Sequence, residues 1–270
     1  MLPNRNIPYT SQPQTPIAIN WNNPITSKLI FASPGGRYAS VWPLRLMTRN
    51  GVRTNVAVTG VVNGFGTTVG TSVSDALYTG VLPTGNDRTY FIRFNMVSGN
   101  ANLVQRLLDI DAENLYINGS QLVFIQRFST TDGQWRGPDP SISASLWYTT
   151  AFTYNSSNIA NNGQFYLNGR AIATTRTAAP AGTALAATGE YIIGNRVDLL
   201  RNWGGYIGEV FIWNRILTEP EIFSIHNNSW QIFQPRASNF NFTKVTYPDP
   251  VPTLESPAFN DNKAKFKITF

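Results

Sequence analysis

Apolar and polar residues alternate along much of this chain with the period of two that sends successive side chains to opposite faces of a β-strand. The clearest run is Arg88–Met96, where Tyr90, Ile92, Phe94 and Met96 share one face and Arg93 and Asn95 the other. That is the pattern of a half-buried strand. Alternation resumes through Val104–Asp111 and again in Leu115–Ile117 and Gln121–Ile125, which flank Asn118-Gly119. Asn-Gly supplies the positive φ angles of a tight turn, so a hairpin is predicted there. Leu146–Tyr154, a second pair of strands around Asn168-Gly169, Glu190–Gly194 and Gly205–Trp213 continue the series. Earlier, Ile17–Trp21 and Lys28–Ala32 give two short runs before a turn at Pro34-Gly35-Gly36. Val56–Ala76 is mostly Val, Thr and Gly with almost no charge, which suits flat strands or a long glycine-rich loop.

Only one helix is signalled. Thr218 is placed to cap it, Pro220 falls in its first turn, and Ile222, Phe223 and Ile225 give it an apolar side before it ends near Asn227-Asn228. The two ends of the chain lack any such periodicity. Pro3, Pro8, Pro13 and Pro16 break up a polar segment at the start, and prolines punctuate the chain again from Pro235. The pattern therefore predicts an extended N-terminal arm over 1–20, an all-β sandwich over 21–234 and a C-terminal arm over 235–270. The alternating run Ala264–Phe270 closes that arm as an edge strand or a strand added to a neighbouring subunit.

Composition narrows the chemistry. Charged residues make up 13% of the 270 and aromatic residues another 13%, the profile of many short strands joined by turns. The formal charge of +6 comes from scattered Lys and Arg, without the basic cluster interleaved with aromatics that nucleic-acid binding asks for. It favours at most an acidic partner surface. There are no cysteines, which excludes disulfides, thiol catalysis and Cys-ligated zinc, and the single histidine, His226, rules out multi-His metal sites. No stretch has the apolar length of a membrane span, and Met1–Arg5 has no signal-peptide shape, so neither membrane nor nucleic acid is expected as a partner.

Residues 146–233 carry four motifs in a recognisable order. They are Leu146-Trp147-Tyr148-Thr149-Thr150-Ala151-Phe152-Thr153-Tyr154-Asn155, Phe165-Tyr166-Leu167-Asn168-Gly169, Ile192-Ile193-Gly194-Asn195, and the closing run from Gly205 through Asn214-Arg215 to Ile222. Together they resemble the second half of a concanavalin A-like (laminin G / pentraxin-like) domain, and the resemblance extends over roughly residues 85 to 233. It implies an antiparallel jelly-roll β-sandwich with one short helix near its C-terminal side. Members of such a family bind glycans, proteins or calcium, and some relatives hydrolyse β-glucans. Two further motifs, Ile19-Asn20-Trp21-Asn22-Asn23-Pro24-Ile25-Thr26 and Asn228-Ser229-Trp230-Gln231-Ile232-Phe233, resemble those of such domains in bacteriophage virion proteins. Ser229 and Asn20 stand where the motifs usually carry a proline and an acidic residue, and Asn168 replaces the acidic residue of the family's hairpin.

Three sets of residues offer candidate chemistry. Asp109, Asp111 and Glu113 alternate, which would align three carboxylates on one strand face as in retaining glucanases of this fold. The same residues could instead enter a turn, or Asp109 and Asp111 could pair to bind calcium, with Asp132 and Asp198 as further oxygen donors. Trp135-Arg136 and Arg201-Asn202-Trp203 sit in loops rich in Gly, Asn and Asp, and an exposed indole beside polar side chains is what sugar recognition needs. Alternatively either Trp plugs the end of the sandwich or lies in a subunit interface. Trp147, Trp213 and Trp230 fit the apolar pattern of the core.

The reading that combines these features is a non-catalytic bacteriophage structural protein, a capsid decoration, fibre or tail-associated component of the extracellular particle. It would display a lectin-like sandwich to cell-surface glycans while an arm docks it to other virion proteins in a symmetric homo-oligomer. The alternatives are a free carbohydrate-binding lectin and a β-glucan hydrolase. No cofactor beyond calcium is suggested.

Overall fold

The computed structural model describes residues 17–33, 57–61, 64–69, 76–97 and 104–235. The turn expected at 34–36, residues 1–16 and 236–270 of the arms expected over 1–20 and 235–270, and the expected terminal strand at 264–270 lie outside the described residues, whereas Ile17–Ile19 and Pro235 are paired in strands.

Among the described residues seventeen strands and one α-helix follow in order. They are β1 (Ile17–Ile19), β2 (Leu29–Ser33), β3 (Ala57–Val61), β4 (Gly64–Val69), β5 (Leu77–Tyr78), β6 (Asp87–Met96), β7 (Val104–Asp109), β8 (Glu113–Asn118), β9 (Gln121–Gln126), β10 (Gly133–Arg136), β11 (Trp147–Asn155), β12 (Gln164–Leu167), β13 (Arg170–Ala171), β14 (Thr175–Ala178), β15 (Ile192–Ile193), β16 (Gly205–Trp213), α1 (Glu219–Asn227) and β17 (Phe233–Pro235). They form a seven-stranded sheet, β14-β10-β9-β8-β7-β15-β5, and an eight-stranded sheet, β13-β12-β11-β6-β16-β4-β3. The eighth strand, β2, pairs with Val210–Trp213 of β16, beyond the stretch Gly205–Ile207 that β4 pairs with. All pairings are antiparallel, and the sandwich is the predicted jelly-roll class.

The main core lies between the two sheets. Tyr90, Ile92 and Phe94 of β6, Phe152 of β11 and Ile212 of β16 meet Leu115 and Ile117 of β8, Leu122 and Phe124 of β9 and Trp135 of β10. Phe124 and Phe152 stack across it with centroids 4.1 Å apart. The alternation predicted for β6 thus points the expected residues inward. Phe91, however, is buried as well, because the outer face of the eight-stranded sheet has a core of its own. There Phe91, Phe211 and Trp213 pack under Ile222 and Ile225 of α1, with Ile19, Ile25, Leu217 and Phe233 closing the sides. β16 is buried almost throughout because it faces both cores, and a register shift between Ile207 and Val210 lets both residues point inward.

The closing motif is explained by its contacts. Arg215 donates to the backbone oxygens of Ser27 (2.9 Å) and Ile25 (3.2 Å) and pairs with Glu221 of α1 at 2.8 Å. Asn214 accepts from Arg88 (3.1 Å) and donates to Thr84 (2.8 Å). The backbone N–H of Thr218 donates to Glu221 at 2.8 Å, completing the expected cap of α1. At the second predicted hairpin Asn168 (φ 49°) and Gly169 (φ 79°) are the two loop residues, and the Asn168 side chain accepts from the Thr149 N–H at 3.1 Å. At the first, Asn118 still pairs with Gln121, so the loop is Gly119-Ser120 and only the glycine has positive φ.

Trp147 and Trp230 are half-buried and only Trp213 of that expected trio is fully buried.

Candidate functional site

The Asp109–Glu113 segment is a hairpin turn, not one strand. Asp109 ends β7, Glu113 begins β8, and Ile110 and Glu113 exchange backbone hydrogen bonds of 2.9 and 3.3 Å across Asp111-Ala112. A tight reversal cannot keep three alternating carboxylates on one face, and they go to three separate partners. Asp109 accepts from Arg106 Nε at 2.8 Å. Asp111 accepts from the Thr188 N–H (2.9 Å) and hydroxyl, which hold it below the usual carboxylate range despite partial burial. Glu113 points into the core, where it accepts from the hydroxyls of Tyr191 (2.7 Å) and Tyr90 and sits 3.5 Å from Arg88 Nε. Burial is the first cause that pushes the Tyr90 and Tyr191 hydroxyls well above the usual phenol range, so both stay protonated as donors to the carboxylate. The glucanase constellation is therefore not assembled.

The two indoles expected in exposed loops are in the core. Trp135 and Trp203 are each 0% exposed. Trp135 lies in β10, not a loop, and its ring folds back over Gly133, where a Cβ would stand 2.5 Å from the ring. Trp203 packs edge-on against Phe94, centroids 5.4 Å apart, and its backbone N–H donates to Gly194 O at 2.7 Å, closing the loop over 194–203 from below. An indole with no accessible face cannot stack on a pyranose, so the expected role as a sugar platform is not open to either. Asn202 is also buried, and the Arg201 N–H is held by Asn195 Oδ1 at 3.0 Å.

Arg136 does reach a surface, the outer face of the seven-stranded sheet, which no helix or ribbon of the described residues covers. Its Nε donates to Gln134 Oε1 (3.1 Å) and its Nη1 to Gln121 Oε1 (3.1 Å). Gln134 Nε2 reaches the Tyr116 hydroxyl at 3.5 Å, and the Arg106 guanidinium lies 4.1 Å over the Tyr116 ring. Alternate residues of β7, β8, β9 and β10 thus join into one polar row across four adjacent strands. Sequence reading missed it because the row exists only once the registers are set.

At the β7 end the row opens into a cleft of about 350 Å³ lined by Arg106, Asp109, Asp111, Asn114, Arg127 and the Arg196–Asp198 turn. Burial pushes the Asp109 carboxyl up to about 6 against the pull of Arg106, and burial lowers the Arg106 guanidinium from its ordinary value. Arg196 pairs with Asp198, and Val197 between them is exposed at the rim. For calcium the donor set is wrong: Asp109 is already bonded to Arg106, Asp198 to Arg196, and the guanidiniums would repel a dication. Asp132 is used elsewhere, accepting from the Phe128 N–H at 3.1 Å, and among the described residues no group of three His, Cys, Asp or Glu side chains could hold a metal ion. Among them, too, no helix is long and apolar enough to cross a membrane.

A family model described as the concanavalin A-like lectin/glucanases superfamily matches residues 81–223. No curated protein matches the chain. Among solved structures, the binding domain of Paraclostridial Mosquitocidal Protein 1 superposes with a TM-score of 0.58 at 13% identity, covering 76% of this chain and 53% of that one. The receptor binding domain of a botulinum neurotoxin C/D mosaic serotype gives 0.57 at 12% identity, with 75% and 51% covered. The chain spans about half the length of these toxin domains. A sialidase carbohydrate-binding module (CBM40) of Ruminococcus gnavus, bound to sialyllactose, matches at 0.43 and 17% identity over 53% of this chain and 84% of that one. At these identities the likeness is one of fold.

Proposed function

The chain belongs to the concanavalin A-like lectin/glucanase superfamily, and from that premise we propose that it is a non-catalytic glycan-binding module presented on a bacteriophage particle. The binding face is the outer face of the seven-stranded sheet. The observation that carries this is the polar row Arg106–Tyr116–Gln134–Arg136–Gln121, which ends in a cleft and combines donors and acceptors spaced along four strands. Ring hydroxyls of an oligosaccharide present donors and acceptors in the same alternating fashion, and pockets with a few convergent polar groups suit them.

Presentation on a particle is supported from the opposite face. The two segments that resemble phage virion motifs pack against each other: Asn20 N–H donates to Ile232 O (2.8 Å) and Asn23 Nδ2 to Gln231 O (3.1 Å). β1 pairs with β17 so that Ile17 stands opposite Pro235, over the helix-covered face of the eight-stranded sheet. Ile17 and Pro235 are thus neighbours, on the sheet opposite the one that carries the binding face. Attachment of a particle at the β1–β17 ribbon would leave the binding face turned outward.

A glycan array probed with the full chain tests the binding, and mass spectrometry of purified particles tests the location. Saturable glycan binding that falls in an Arg136→Ala, Gln134→Ala double variant is expected. Absence of binding to every glycan overturns the lectin reading. Absence of the chain from particles overturns only the virion reading and leaves a free lectin. Reducing-sugar release from β-glucans would revive the hydrolase alternative, but the dispersed carboxylates argue against it.

A further inference from the structure

The cleft holds two polar atoms that nothing in the described structure satisfies. Arg106 is 8% exposed and Asn114 is 7% exposed, and Arg106 Nη1 and Asn114 Oδ1 are both buried without a hydrogen-bond partner. Arg106 Nε and its ring contact are already committed to Asp109 and Tyr116, which hold the guanidinium while its Nη1 has no partner. Native proteins seldom leave such groups unpaired, and where they do a missing bound species is a usual reason. The two residues lie on neighbouring strands, β7 and β8, in a diagonal relation, since Arg106 stands opposite Tyr116 and Asp109 opposite Asn114.

Resting on the glycan-binding reading, we infer that the floor of this cleft is a subsite for a hydroxyl of a neutral sugar, which accepts from Arg106 Nη1 and donates to Asn114 Oδ1. A hydroxyl does both from a single atom. A carboxylate or sulfate would satisfy Arg106 and leave the Asn114 acceptor facing a second acceptor; an ammonium would do the reverse. The charges agree. Three guanidiniums, Arg106, Arg127 and Arg196, stand against three carboxylates, Asp109, Asp111 and Asp198, so the lining carries no net charge to draw in an ion. Its volume, about 350 Å³, lies at the small end of ligand sites. Val197, exposed at the rim, gives the ring an apolar contact in place of an aromatic one.

The test is titration of the full chain with methyl glycosides of glucose, galactose, mannose and N-acetylglucosamine, and with sialic acid and glucose 6-sulfate, read by ligand-observed NMR. At least one neutral glycoside is expected to bind, with affinity falling tenfold or more in Asn114→Leu and in Val197→Arg. The second variant fills the cleft from an exposed loop and spares the core, so it stands if the first fails to fold. Neutral binding unchanged in both variants overturns the subsite while leaving the glycan-binding reading intact. Binding of the two anions alone overturns the neutral assignment. A glycan array without any bound glycan is the separate result that removes the reading beneath it.

Discussion

The two outer faces of this sandwich are built on opposite principles. That of the eight-stranded sheet is covered: α1, the β1–β17 ribbon and the Pro24–Thr26 turn seal Phe91, Phe211 and Trp213, and even the Trp213 N–H finds the Ile25 carbonyl at 2.8 Å. Among the described residues the seven-stranded sheet has an uncovered, polar outer face; buried atoms that lack partners occur on both sides, at Arg93 under the covered face and at Arg106 and Asn114, where they line a cleft. Sheets with one wet face are common, but a wet face with unmet hydrogen-bonding capacity is not at its stability optimum. Where local consistency fails in this way, function is the usual reason. The covered face stabilises the domain, and the open one is available to a ligand.

The largest expected effect separates the faces directly. Trp213→Ala should cost about 3–5 kcal/mol, the range for deleting a large aromatic from a core. Gln134→Ala on the open face should stay within about 0.5 kcal/mol. Urea unfolding of the full chain reads both, and similar losses for the two variants would erase the distinction.

A sharper contrast comes from adjacent residues. Glu113 and Asn114 point to opposite sides of β8, the first to Arg88, Tyr90 and Tyr191, the second to the cleft. Arg88 and Glu113 are 5% and 6% exposed, so Glu113→Gln leaves a guanidinium in the core without its counter-charge. Breaking such a pair costs roughly 3–5 kcal/mol. The lower end is expected, because Arg88 keeps the carbonyls of Thr84 (2.8 Å) and Gly85 (2.9 Å). Asn114→Leu removes an unpaired acceptor instead, and should be neutral or stabilising by up to about 1 kcal/mol. Equilibrium unfolding of the two variants side by side should give opposite signs. If Asn114→Leu destabilises as much as Glu113→Gln, Oδ1 has a structural partner and the cleft is not under-satisfied.

What the sequence disclosed follows the same division. The covered face was legible because its determinants are local: the Thr218–Glu221 cap, the Asn168-Gly169 turn, and the Asn214-Arg215 run into α1. Trp135 was misplaced because β10 has only four residues, and its alternation, Gly133, Gln134, Trp135, Arg136, is too short to stand out beside the loop that follows. The carboxylates were misread because alternation in Asp109–Glu113 is also what a strand end, a two-residue loop and a strand start produce. The polar row could not be found at all from spacing. Residues 106, 116, 134 and 136 become neighbours only through the β7–β8, β8–β9 and β9–β10 registers, and nothing within any one strand marks them as a set.

The smallest expected effect is a pair of opposed pH dependences, one on each face. Burial raises Asp109 to about 6 from 3.8, with Arg106 and Arg196 opposing, so the native state holds that proton more tightly than the unfolded chain. Its contribution is fully present below about pH 4 and is lost as pH rises through 6. His226, in α1, accepts or donates at Thr149 Oγ1 over 2.8 Å. Burial first, then Arg93 and Arg170 against the pull of Glu209, lowers it to about 4 from 6.5. A histidine kept neutral in the fold stabilises above pH 6.5, and that stability is lost as pH falls towards 4. Between pH 6.5 and 4 the two therefore cancel in part, and the wild-type melting temperature should change little from these groups. Asp109→Asn removes the open-face term, so its melting temperature should fall more steeply on acidification than that of the wild type. His226→Asn removes the covered-face term, and its profile should flatten or rise towards pH 4. Parallel profiles for all three proteins would mean that neither proton is linked to folding, and that the charge at the cleft floor is as well solvated as one on an ordinary surface.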